Sequence, residues 1–388
     1  MQPCRFPVIC TGGGGKAIIS NEVKKERAVL AGLCAASMAP EERSTDESMD
    51  ELAALVKTLG GEVAARLLRT CAAPEARSFI GSGKVKEIKK LIEVEKCDTA
   101  VFDNELSPSQ MRVLSEELGV KISDRSGLIL DIFAQRAKTK EGILQVELAR
   151  CRYLLPRLVG MWSHLAGQTA AGTASAGGTR GPGETQLEAD RRHIRRKIRK
   201  LERELEEARR VRKVQRKLRE KNAVPTAALV GYTNAGKSTL LNLLTGAGIP
   251  ADDRLFDTLD TTTRKIRING PNELLISDTV GFIRKLPVHL TESFKATLEE
   301  LRFADLLLHV IDISNPDRDE HILVTEDLIN KLGAGKTPCL RVFNKCDLHS
   351  GELPRGNDCV CISAKTGEGV GELFEKIAEV LPDRKAYI

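Results

Sequence analysis

No apolar run in this chain approaches the roughly 18 residues that a membrane-spanning helix requires. The opening stretch, MQPCRFPVICTGGGGKAIIS, has no clear signal-peptide apolar segment before its glycines. No CxxC pair occurs among the ten cysteines, and the closest two are Cys359 and Cys361. These absences speak against a membrane span, an exported protein and a paired-cysteine metal or redox motif. They predict reduced, structural cysteines in a cytoplasmic protein. An even spread of charge is also missing. The chain is net +6, yet residues 191–221 hold sixteen Arg or Lys against five Glu, so the remainder is net negative. A basic block on a mildly acidic body predicts a docking surface for a polyanion.

What is present is enough chain, 388 residues, for two or three domains with proper cores. Residues 1–26 read as a flexible tail. Their GGGGK at 12–16 resembles half a phosphate loop, but Ala17 stands where Ser or Thr is needed. Residues 27–138 alternate strand and helix signals. RAVLAGL, EVAARLLRT, DTAVFD and VKISD read as strands. DESMDELAALVKTLG reads as an amphipathic helix, and Ser107-Pro108 as a helix start. That alternation predicts a parallel α/β domain. IGSGKVKEI at 80–88 lies between strand and helix but lacks a full glycine fingerprint, so it reads as a tight turn.

Residues 139–222 change character. A helix over 141–162 is followed by a Gly/Ala-rich stretch and then by a long helix from about Glu184. Leu187, Ile194, Ile198, Leu201, Leu205 and Ala208 form a seam at coiled-coil spacing. The segment therefore reads as an antiparallel helical hairpin with a Gly/Ala-rich tip and an arginine-rich outer face. Residues 223–388 form a third unit of alternating strands and helices.

This third unit carries the chemistry. PTAALV runs directly into Gly231-Tyr232-Thr233-Asn234-Ala235-Gly236-Lys237-Ser238, a GxxxxGKS phosphate loop. Its amides would wrap the β-phosphate, Lys237 would reach the β- and γ-phosphates, and Ser238 would ligate Mg²⁺. Asp278-Thr279-Val280-Gly281 follows the strand ELLIS. Asp278 would hold Mg²⁺ through a water, and the Gly281 amide would sense the γ-phosphate. Asn344-Lys345-Cys346-Asp347 ends the strand LRVFN. An aspartate there accepts from guanine N1 and N2, a donor pair adenine lacks, while Lys345 covers the base. Ser363-Ala364-Lys365 would support guanine O6 through a backbone amide. Four motifs in this order imply binding of a guanine nucleotide. Phe256-Asp257-Thr258-Leu259-Asp260 lies where a first switch belongs; Thr258 can complete the Mg²⁺ shell, with Thr261, Thr262 and Thr263 as neighbouring candidates.

From about residue 27 onward the chain resembles the HflX family of ribosome-associated GTPases. The segments that carry the likeness are GSGKVKEI, DNELSPSQ, DRSGLILDIFAQRAKTKEGILQVELA, YLLPRLVGMW, GTRGPGETQLE, GYTNAGKST, FDTLD and DTVGFIRKLP. The resemblance implies an N-terminal parallel α/β domain, a helical hairpin and a Ras-like P-loop GTPase domain. It implies FDTLD as the first switch, which favours Thr258 as the Mg²⁺ ligand, and it makes Lys237, Thr258 and Gly281 the groups that act on the γ-phosphate. It further implies binding to the large (50S) ribosomal subunit and its rRNA, with splitting or rescue of ribosomes. This chain departs from the family in three places. The tip carries extra residues around QTAAGTASA, only DRKAYI follows LFEKIAEVLP where many members continue into a small domain, and residues 1–26 match nothing in the pattern.

The residue after DTVG is Phe282, where a glutamine usually holds the attacking water. Phenylalanine cannot do this, so slow intrinsic turnover is expected, with the missing stabilisation supplied by the ribosome. A potassium ion at Asn234 would be a lesser contributor. The alternatives are an RNA- or ribosome-binding scaffold or assembly factor that holds GTP with little turnover, and an RNA remodeller that uses ATP through the N-terminal domain, which only GSGK at 81–84 supports. A monomer is expected.

Overall fold

The computed structural model describes residues 25–161, 182–221, 224–246, 255–256, 262–268, 272–285 and 301–381. The N-terminal domain is a four-stranded sheet of order β2-β1-β3-β4, with every pairing parallel. Its strands are β1 (Arg27–Ala35), β2 (Glu62–Cys71), β3 (Thr99–Phe102) and β4 (Lys121–Asp124). The crossover helices are α1 (Asp46–Thr58), α2 (Ser82–Glu95) and α3 (Pro108–Leu118), with α4 (Arg125–Arg136) after the last strand. Residues of β1 alternate between the faces, as strand geometry dictates. Val29, Ala31 and Leu33 pack with α2 and α3, whereas Ala28 and Leu30 pack with α1 and α4.

Local chemistry sets the helix ends. Thr45 and Ser107 each form a reciprocal capping box, with Ser48 and Gln110, and Pro108 occupies the first turn, where no amide partner is needed. Most of the stretch at 80–88 is not the expected turn but the start of α2: only Ile80 and Gly81 precede the helix, with Gly81 at φ +82° and the Ile80 carbonyl held by Arg69.

Helix α5 (Lys140–Met161) and the 40-residue α6 (Pro182–Lys221) pack together as a hairpin. Leu144, Leu148 and Cys151 meet Leu201 and Leu205, with Ile194 and Ile198 alongside. Lys197–Glu147 and Arg152–Glu202 pair across the seam. The tip residues 162–181 and the tail residues 1–24 lie outside the described residues.

The third unit is a six-stranded sheet of order β10-β9-β8-β5-β7-β6, antiparallel only between β6 and β7. It comprises β5 (Thr226–Val230), β6 (Thr262–Ile268), β7 (Asn272–Asp278), β8 (Leu306–Asp312), β9 (Cys339–Asn344) and β10 (Cys359–Cys361). Its helices include α7 (Lys237–Thr245), α8 (Arg318–Lys331) and α9 (Val370–Val380). One apolar core joins the two α/β units. It runs from Leu52, Ile129 and Phe133 to Val230, Tyr232, Phe256, Val280 and Phe282.

Candidate active site

The central strand β5 delivers the phosphate loop at the carboxyl end of the sheet, and two of its positions require glycine. Gly231 has φ +150°, and a Cβ there would lie 2.2 Å from the Val310 carbonyl oxygen. Gly236 has φ +93°, and its Cβ would lie 2.2 Å from Asn344 Nδ2. That second approach joins two motifs distant in sequence. Asn344 Nδ2 donates to the Ala235 carbonyl at 2.8 Å, while its Oδ1 accepts from the Ala364 amide at 2.9 Å. One buried side chain therefore ties the phosphate loop, NKCD and SAK together.

The base-recognition end is laid out in the same way. Asp347 is exposed, and its Oδ1 accepts from Ser363 Oγ at 2.7 Å. Lys345 pairs with Asp312 at 2.6 Å, the Cys346 amide donates to the Ile362 carbonyl at 3.2 Å, and Lys365 is exposed. At the start of α7, Ser238 Oγ donates to Asp278 Oδ2 at 2.8 Å. Converging hydroxyl and carboxylate oxygens are hard donors of the kind Mg²⁺ takes. Thr279 is buried and donates to the Leu229 carbonyl at 2.6 Å.

Lys237 Nζ donates to the carbonyls of Gly231 (3.0 Å) and Tyr232 (2.7 Å), and its side chain is buried. Burial pushes its ammonium down to about 8, against the pull of Asp278. Directly over it lies the second switch. A Cβ on Gly281 would stand 3.1 Å from Lys237 Nζ and 2.8 Å from Thr233 Cγ2. Phe282 donates its amide to the Gly231 carbonyl at 3.1 Å and accepts from the Thr233 amide at 2.7 Å, forming a bridge beside Tyr232. Its ring is 2% exposed and packs in the core shared with the N-terminal domain.

The first switch is described only at its start. Phe256, at φ +57°, packs edge-to-face on Phe133 of α4, with ring centroids 4.7 Å apart. Asp257, Thr258, Leu259, Asp260 and Thr261 lie outside the described residues. Thr263 sits on β6, engaged with Ser277 Oγ at 2.9 Å.

Motif reading missed a charged cluster behind the phosphate loop. Tyr232 stacks on His321 at 3.7 Å, donates its hydroxyl to Glu51 of α1, and accepts the Arg284 amide at 2.9 Å. Buried Arg125 reaches Glu51 (2.6 Å) and Asp103 (3.0 Å), and also the Arg284 carbonyl (3.3 Å). Lys285 pairs with Asp103. Burial raises the Glu51 carboxyl despite Arg125. Burial also pushes Asp103 up, but Arg125 and Lys285 hold its carboxyl below the ordinary range. The available signal was an aspartate following the strand DTAVF, at the carboxyl end of a parallel sheet.

A strand–loop–helix GxxxxGKS loop, a DxxG segment beside it and an NKxD motif tied to SAK define a P-loop GTPase. Family models cover the chain in three blocks: "GTP-binding GTPase N-terminal" over residues 46–134, "GTP-binding GTPase Middle Region" over 136–219, and "50S ribosome-binding GTPase" over 226–345. GTPase HflX of Caldanaerobacter subterraneus subsp. tengcongensis is 49% identical over 382 residues, spanning 98% of this chain and 86% of that one. GTPase HflX of Escherichia coli (strain K12) is 44% identical over 342 residues, spanning 86% and 79%. Among solved structures, the SsGBP and GDP complex is 26% identical, covers 92% of this chain and 98% of that one, and has a TM-score of 0.49. The chain belongs to the HflX family of GTPases, and it is a GTP hydrolase.

Proposed function

We propose that this GTPase acts on ribosomes. Its GTP form docks on the 50S subunit and its rRNA, separating or rescuing the particle, and hydrolysis ends the engagement. The observation that carries this reading is the outer face of α6. Arg192, Arg195, Arg196 and Arg199 are exposed there, while the apolar seam faces α5. Such a face neutralises RNA phosphates and releases counterions, so affinity falls steeply with salt. The same reading makes the protein a cytoplasmic monomer.

Ser238 and Thr258 would hold Mg²⁺ directly and Asp278 through a water; the ion would neutralise charge between the β- and γ-phosphates. Lys237 and the Gly281 amide would grip the γ-phosphate. Phe282, turned into the core, orients no water. Free turnover is then slow, on the order of Ras alone or below, and an external group supplies a factor of about 10³–10⁵. The ribosome is that supplier, with K⁺ at Asn234 contributing less.

Sedimentation against 30S, 50S and 70S particles with each nucleotide, joined to single-turnover hydrolysis in K⁺ and in Na⁺, tests this. The 50S or 70S particle should raise turnover at least about tenfold. Reversing Arg195, Arg196 and Arg199 to Glu should weaken sedimentation with 50S and leave GTP affinity unchanged. Fast hydrolysis by the free protein in sodium would overturn the assignment of an external catalytic group.

A further inference from the structure

In the N-terminal sheet the chain leaves β1 toward β2 but leaves β3 toward β4, so adjacent strands β1 and β3 lead away in opposite directions. In a parallel sheet that point opens a crevice beyond the carboxyl ends of the strands, where ligands bind. Here the crevice is lined for a cation. Asp103, immediately after β3, is 1% exposed and accepts from Ser44 Oγ (2.7 Å), Ser48 Oγ (2.9 Å) and Arg125 Nε (3.0 Å). Asn104 Oδ1 accepts the Leu33 amide at 2.9 Å and fixes the end of β1. The group that occupies the crevice is the Lys285 ammonium, bound to Asp103 Oδ2. Lys285 itself has φ +54°, a left-handed conformation that a lysine keeps only when its surroundings impose it.

Lys285 lies four residues beyond Gly281, on the chain that leaves the second switch. The intervening residues are also held. The Arg284 carbonyl accepts from Arg125 and its amide donates to Tyr232, whose hydroxyl is bound by Glu51. Upstream, Phe282 is hydrogen-bonded on both sides to the phosphate loop, and Gly281 rests against Lys237. The two groups that would grip a γ-phosphate, Lys237 and Gly281, are thus packed against each other, and GDP carries no γ-phosphate to come between them.

We propose that Lys285, Asp103 and Tyr232 are positioning residues through which the N-terminal domain holds the second switch across the phosphate loop. GTP, unlike GDP, must break that hold to bind. This deepens the reading of the protein as a GTP switch and rests on it. The charged side chain of the enzyme's own switch is thus the ligand of the N-terminal crevice, and the strength of that contact sets the preference between the two nucleotides.

The test is equilibrium titration of the full-length protein with fluorescent GDP and with a fluorescent, non-hydrolysable GTP analogue. Lys285→Met should tighten the GTP analogue by about 5- to 20-fold and leave GDP within about twofold. Lys285→Arg, which keeps the charge, should restore most of the original ratio. Tyr232→Phe leaves every buried charge paired and keeps the test decisive should Lys285→Met not fold; it should move the ratio in the same direction by about threefold. A lost contact that was merely structural would weaken or spare both nucleotides alike, and that result overturns the proposal. Failure of the unaltered protein to bind either nucleotide would instead overturn the reading of the site itself.

Discussion

The two sheets of this protein are built alike and charged oppositely at the same place. Each is mainly parallel, and each gathers its polar groups beyond the carboxyl ends of its strands. In the GTPase sheet that end presents a glycine-shaped loop and the Lys237 ammonium, groups suited to a phosphate. In the N-terminal sheet it presents Asp103, Asn104, Ser44 and Ser48, a receptor for an ammonium group. The architecture decides where a ligand sits, and one or two side chains at the strand ends decide its sign. The two receptors meet through a single stretch of chain, residues 278–285, which touches Lys237 at one end and Asp103 at the other.

Damage to the N-terminal receptor should have the largest effect. Asp103→Ala leaves Arg125 and Lys285 without their shared carboxylate in a buried setting, and stability should fall by about 3–5 kcal/mol in urea denaturation. Asp103→Asn, which retains the hydrogen-bonding shape, should cost less.

Damage to the GTPase receptor should show in rate. Lys237→Ala removes the one side-chain cation that the loop offers to phosphate among the described residues. Phosphate release at saturating nucleotide should drop on the order of 10²–10³-fold, with the protein still folded by circular dichroism. An undiminished rate would show that another group does this work.

The specificity of that receptor can be altered separately. Asp347→Asn replaces a pair of acceptors by one acceptor and one donor. GTP affinity should fall by roughly 2–3 kcal/mol and xanthosine triphosphate should gain. Unchanged GTP affinity would sink the assignment of NKCD.

Acid should separate the two sheets by a smaller margin. His309 on β8 is 1% exposed, and burial pushes it down to about 4. The unfolded chain protonates its histidine near pH 6.5, before the folded one does. Its contribution is therefore complete above about pH 6.5 and is lost as pH falls toward 4, a change on the order of 2 kcal/mol. Asp103, held low when folded, keeps its contribution until below the ordinary aspartate range. Urea midpoints measured from pH 7 to 4 should decline, and His309→Gln should lessen that decline while leaving the part due to His321, which burial also pushes down to about 4.

The parts of this design that local pattern encodes were legible in the sequence. Strand–helix alternation gave the parallel N-terminal sheet, and the seam through Ile194, Ile198, Leu201 and Leu205 gave the hairpin. GYTNAGKS is legible because its chemistry demands those residue types at that spacing. The joint between the sheets was not legible for a physical reason. Tyr232 meets Glu51 across 181 positions of chain, and Lys285 meets Asp103 across 182. Such partners share no periodicity or spacing. Phe282 illustrates the same limit. Its identity announced a missing water-orienting group, but not that its ring would be drawn into the core that includes Leu52 and Phe133.

The length of α6 has a mechanical consequence. At about 1.5 Å per residue, its 40 residues span roughly 60 Å. Its base, Lys221, lies only a few residues before β5, the strand that delivers the phosphate loop. An arm of that length magnifies small rotations. A tilt of about 5° at the base carries the far end by roughly 5 Å. The hairpin is in this sense a crank handle, in which any rotation at the end near β5 is multiplied along the arm.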